Sequence, residues 1–192
     1  MIRDITNTGR DIIILKEQCR VYDVPDDGDC MLHCVAHAIF PPYRTGVFQG
    51  KKISKKEVVR MMRTEMLEKL DREYGKVLGG AFAESGQFVE EASIESLRAL
   101  FKTNLMLGEE TKVYLEHLIE KNILVVNEEG NAYKHYSYNK DYPSIVLRFK
   151  DIVDAVGHHS GHYNVVMWLE PSTGKQISLF EHDHPFINKL LK

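Results

Sequence analysis

An α+β fold is predicted, with helices packed on a mostly antiparallel central sheet. Apolar residues recur at helical spacing through the first two-thirds of the chain. They give way to short extended runs in the last third. No linker or composition shift divides the 192 residues, so one domain over 1–192 is expected, long enough to bury its own core.

The elements follow in order. An apolar run, Ile12 to Leu15, precedes an extended stretch from Arg20 to Val24. Pro25-Asp26-Asp27-Gly28-Asp29 is a turn signal, Pro fixing one backbone angle and Gly relaxing another. Leu32, Val35, Ala36 and Ile39 then fall at helical spacing, predicting a buried helix from Cys30 to about Phe40 that Pro41-Pro42 ends. Ser54 and Glu57 form a capping box, and Val59, Met62, Met66 and Leu70 make one helix face beyond it. Gly75, Gly79, Gly80 and Gly86 predict loops and short helical pieces over 71–92. Ser93 opens a helix with Ile94, Leu97, Leu100 and Phe101 inward, and Thr111 to Lys121 forms another. The extended runs are Ile123–Val126, Tyr133–Tyr138, Ser144–Phe149, Tyr163–Leu169 and Gln176–Phe180, the last two joined as a hairpin through Pro171–Gly174.

Composition narrows function. The formal charge is -3, and the lysines of 51–56 read as a solvated face, so neither nucleic acid nor an acidic membrane is expected as partner. No run approaches a membrane span, and Met1–Asp4 lacks the features of a secretory signal. Three cysteines, Cys19, Cys30 and Cys34, are too few and odd in number for a disulfide framework, which points to a reducing compartment. A cytoplasmic monomer is expected, in a host-cell cytosol if the chain is viral or injected.

Two segments carry residues fit for chemistry. In Asp27-Gly28-Asp29-Cys30 the thiol stands at a helix start, where unpaired amides and the helix dipole favour a thiolate and an oxyanion. A half-buried structural cysteine fits the same segment. In Gly161-His162-Tyr163-Asn164, His162 is read as standing at a strand entry on one face with Asn164, base beside orienter. A surface histidine fits there as well. His158, His159 and His162 lack a cysteine or acid at liganding spacing, so neither metal nor cofactor is expected. Cys19 and Cys34 read as packing, Met61, Met62 and Met66 as core filler, and His182 and His184 as parts of a solvated terminal segment.

Taken together, the two segments resemble the ovarian-tumour (OTU) family of papain-like cysteine proteases, which remove ubiquitin from proteins. The resemblance spans roughly 20–170 and rests on Asp27-Gly28-Asp29-Cys30 and His162-Tyr163-Asn164. Met31-Leu32-His33 replaces the family's common Leu-Phe-Arg or Leu-Phe-His. The resemblance implies Cys30 as nucleophile, His162 as general base and Asn164 as the residue orienting it. Asp27 would shape the oxyanion loop or share the orienting. It further implies a deubiquitinase acting on ubiquitin or its chains, with a narrow channel for the ubiquitin tail for which His159 and Trp168 are candidate linings. The alternatives are a catalytically silent ubiquitin-binding module and a protease for another ubiquitin-like modifier.

Overall fold

The computed structural model describes residues 2–4, 18–79, 93–103, 108–128, 132–133, 138–153 and 159–191. In chain order they form strands β1 (Ile2–Asp4) and β2 (Cys19–Tyr22), helices α1 (Cys30–Ile39) and α2 (Pro41–Thr45), and a small hairpin of β3 (Val47–Phe48) and β4 (Lys51–Lys52). Helices α3 (Lys55–Gly79), α4 (Ile94–Lys102) and α5 (Glu109–Ile119) follow, then β5 (Asn122–Val126), β6 (Ser144–Val153), β7 (His159–Leu169), β8 (Gln176–Ile177) and α6 (Pro185–Leu190). The main sheet runs β1-β2-β7-β6-β5, with β8 also on β7, and only the β5–β6 pair is parallel. This is the predicted α+β architecture. Among the described residues no helix is long and apolar enough to cross a membrane.

Alternation along β7 sends its side chains to two cores. Val165 joins Ile145 and Leu147 beneath the helices, where Leu32, Val35, Leu70, Leu97 and Tyr114 complete the larger cluster. Val166 faces the opposite way, toward Val21, Val146, Phe180 and Phe186. The second core is closed by the chain's end, so His182-Asp183-His184 is not wholly a solvated segment. His184 packs edge-on against Trp168 at 5.4 Å and Phe180 at 5.2 Å, and its Nδ1 accepts the Phe186 N–H at the start of α6. Burial depresses its basicity.

Several local expectations hold. Ser54 and Glu57 form the reciprocal capping bonds, Ser54 N–H to Glu57 Oε2 at 2.7 Å and Glu57 N–H to Ser54 Oγ at 3.2 Å. Pro41 stops α1 one residue early and, having no N–H to leave unsatisfied, opens α2. Others do not hold. The helix begun at Lys55 continues to Gly79 in place of the loops expected after 70. Leu70 is fully buried there, Tyr74 packs on the core, and Glu73 gathers Arg72, Lys76 and His117. These contacts outweigh the cost of Gly75, roughly 1 kcal/mol. Met66 is buried, whereas Met61 is an exposed residue on the far side of the helix. Strand β7 starts at His159, four residues before the expected start at Tyr163. The runs 12–15, 80–92 and 134–137 lie outside the described residues.

One histidine is poorly suited to acid. His37, on α1, stacks on Tyr22 at 4.4 Å and meets Tyr43 edge-on at 6.2 Å, with its Nδ1 buried and without a hydrogen-bond partner. Burial first, then the nearby Arg44 and Lys55 cations, pull it from the ordinary 6.5 to about 4. Between those values the unfolded chain binds a proton that the folded chain refuses, so stability falls as pH drops through that window. The loss from this residue is about 3 kcal/mol and is complete below the folded value. Urea denaturation from pH 7 to pH 4 is expected to show a decline shallower by about that amount in His37→Phe than in the parent.

Candidate active site

The turn before α1 is held from both sides. Gly28 adopts φ +84°, a conformation that costs a side-chain-bearing residue, and this turns the chain into the helix. Asp27 accepts the Asp29 N–H at 3.3 Å, and its Oδ2 faces His33 Nε2 at 3.3 Å. His33 Nδ1 meets the Tyr43 hydroxyl at 2.9 Å. Asp29 occupies the cap position of α1 without capping it, because its buried carboxylate is bound to Arg63 of α3. Arg63 also donates to the Leu100 carbonyl of α4 at 2.8 Å.

Cys30 is the first residue of α1 and is 2% exposed. Its sulfur receives the backbone N–H of Tyr163, the residue following His162, together with those of Met31 and Cys30 itself. These amides favour the thiolate, as a helix start should. Burial outweighs them, and the Asp26 carboxylate adds to it, so the thiol lies above its ordinary range. The lowering expected from the helix terminus alone is therefore overturned. Cys34 and Cys19 are held higher, Cys34 well above the ordinary value and Cys19 at about 12, both chiefly by burial.

Strand register builds the other half. Arg148 on β6 stands opposite Asn164 on β7, and Lys150 stands opposite His162. On the far side of β7, Tyr22 pairs with Val165, so the chain leaves β2 at Asp23 beside Asn164. Two rows result. In the first, Arg148 Nη2 donates to Asn164 Oδ1 at 3.1 Å and Asn164 Nδ2 donates to Asp23 Oδ1 at 3.0 Å. In the second, His162 lies between Lys150 and Asp26, its Nδ1 at 3.5 Å from Asp26 Oδ1 without hydrogen-bond geometry.

The four expected residues thus gather at one end of β7, with two differences in their contacts. Asn164 shares the face of His162, but its amide spans Arg148 and Asp23 and makes no hydrogen bond to the imidazole. Asp27 is directed at its own loop and at His33, which fits loop shaping and not orientation of His162. Trp168 is a correction: six residues along β7 from His162, it stacks on Phe186 at 5.6 Å in the second core and is not part of a channel at Cys30. His159 pairs with Val153 at the start of the strand, and its side chain lies outside the described residues. Reading the sequence missed Asp26, Asp23, Arg63 and Arg148. Arg148, a lone cation inside the apolar run Ile145–Phe149, carried the one legible signal.

Neither a protein-family model nor a curated protein sequence matches the chain. Solved structures do. An ovarian tumor (OTU) domain in complex with ubiquitin aligns with 92% of this chain and 83% of its own, at 16% identity and a TM-score of 0.57. The chain has the OTU fold. The Hazara virus OTU bound to ubiquitin covers 80% of this chain and 84% of its own, at 15% identity and a TM-score of 0.45. In this OTU fold the cysteine, histidine and asparagine that carried the sequence resemblance stand at the junction of α1 with β7.

The Asp29–Arg63 pair is buried on both sides, so removing one partner strands a charge. Arg63→Ala is expected to lower unfolding free energy by about 3–5 kcal/mol. Adding Asp29→Asn should restore part of that loss, as read by urea denaturation of the single and double variants.

Proposed function

We propose that the chain is a deubiquitinating cysteine protease, acting on the bond at the C-terminus of ubiquitin. The observation that carries this reading is the Cys30 sulfur under the Tyr163 amide, which couples the nucleophile helix to the strand bearing His162. In the proposed reaction His162 takes the Cys30 proton, and the sulfur attacks the carbonyl carbon at the ubiquitin tail. Negative charge collects on the carbonyl oxygen, near the amides of the Gly28–Met31 segment. His162 returns the proton to the leaving lysine amine, a thioester remains on Cys30, and water releases it. Asp27 keeps the turn in shape through the Asp29 amide, and Asn164 holds the β7 end that carries His162. Ubiquitin is the proposed partner because the OTU domain that shares this fold at a TM-score of 0.57 was solved bound to it.

A second reading has one observation on its side. The burial of Cys30, which pushes its thiol above the ordinary range, suits a ubiquitin-binding module without turnover. The two readings differ in one experiment. Ubiquitin carrying a C-terminal electrophile is expected to form a covalent adduct with the parent, seen as a gel shift, and none with Cys30→Ala. His162→Ala should slow adduct formation by about 10²–10⁴-fold. Binding of unmodified ubiquitin by Cys30→Ala at parental affinity, with no adduct in the parent, would favour the module. A panel of other modifier probes addresses a protease of different substrate.

A further inference from the structure

We propose that Asp26 is the positioning residue of His162, its carboxylate holding the imidazole from the solvent side and matching the charge the ring gains from the Cys30 proton. The inference rests on the Cys30–His162 reading and assigns the orienting role to an acid outside that pair and outside the Asn164 position.

The assignment follows from where each polar group is already committed. Asn164 cannot turn its oxygen to His162 without breaking its row. Reversing the amide would set its NH₂ against the Arg148 guanidinium and its oxygen against the Asp23 carboxylate, two mismatches in place of two bonds. Among the acids of the turn, Asp23 is on Asn164, Asp27 on His33 and Asp29 on Arg63. Asp26 remains, with Oδ1 at 3.5 Å from the buried His162 Nδ1, which has no other hydrogen-bond partner. A small rotation of its side chain, 67% exposed and therefore free to turn, completes the bond.

Charge around the ring gives the same answer. Lys150 stands opposite His162 on β6 and Arg148 two pairs further along, so the sheet presents cations to a base that must become cationic. Among the described groups, Asp26 supplies the opposing charge. The same carboxylate acts on the Cys30 sulfur. It therefore disfavours the thiolate, so removing it should move the Cys30 titration toward lower pH.

Alkylation of Cys30 by iodoacetamide, followed against pH by mass spectrometry, tests this without needing ubiquitin. With Asp26→Asn, the Cys30 inflection of the rate profile is expected to move to lower pH by about half a unit, the size of a partly screened nearby charge. Asp26→Glu should return it toward the parent. Turnover of a fluorogenic ubiquitin substrate by Asp26→Asn should fall about tenfold, in kcat more than in KM, and recover in Asp26→Glu. An unmoved inflection or a parental kcat in Asp26→Asn would overturn the proposal by reducing Asp26 to a structural role. So would Asn164→Ala lowering kcat while Asp26→Asn does not. A parent no more reactive than His162→Ala would instead remove the Cys30–His162 pair, and Asp26's role with it.

Discussion

The head of α1 depends on one buried ion pair. Asp29 gives up its chance to cap the helix and takes the Arg63 guanidinium, which reaches on to a carbonyl of α4. Three helices are thereby pinned at the residue before Cys30. Such a pair contributes little net stability against an apolar replacement, since both charges lose their water. Its contribution is positional, because a carboxylate fixed on α3 leaves Cys30 no freedom to slide along β7. The Asp27 bonds to the Asp29 amide and to His33 act on the same turn from the other side.

Sheet register distributes the remaining parts. One long strand, β7, is shared by two cores, and its alternation puts Tyr163 and Val165 toward the helices while His162 and Asn164 lie on the other face. The thiol contacts the strand through backbone, the Tyr163 N–H, and not through a side chain on its own face. Polar residues can occupy the face of His162 and Asn164 at this end because β6 offers Arg148 and Lys150 where further along the same face it offers Val146. The apolar-to-charged change within one strand marks where the core stops and the site begins.

What was legible in the sequence was local. The Ser54–Glu57 box, the α1 start after Gly28 and the Gly174 hairpin each follow from a few neighbouring residues. The Cys30 and His162 segments were legible because their chemistry is written in adjacent positions. The rest depends on distant partners. Gly75 stays helical because Tyr74 packs on the core and Glu73 bonds to His117 on another helix. His184 is inside because Trp168 and Phe186 arrive from other elements. Period-two spacing put Asn164 on the face of His162, but only the pairing of β6 with β7 brings the Arg148 that claims its oxygen. The acid nearest His162 was in plain view in Pro25–Asp29, yet three aspartates share that run, and spacing alone does not tell them apart.

The burial of Cys30 bears on the chemical durability of the protein. Peroxide and other small oxidants attack the thiolate and spare the thiol. A sulfur screened from solvent, with its thiolate disfavoured by burial, is therefore slow to climb to sulfenic and sulfinic acid. The neighbouring Cys34 is fully enclosed four positions along the same helix and its thiol is pushed well above the ordinary range by burial, so it offers no ready thiolate for trapping an oxidised sulfur as a disulfide. Shelter is thus the main protection this thiol has, and its loss to overoxidation would be permanent.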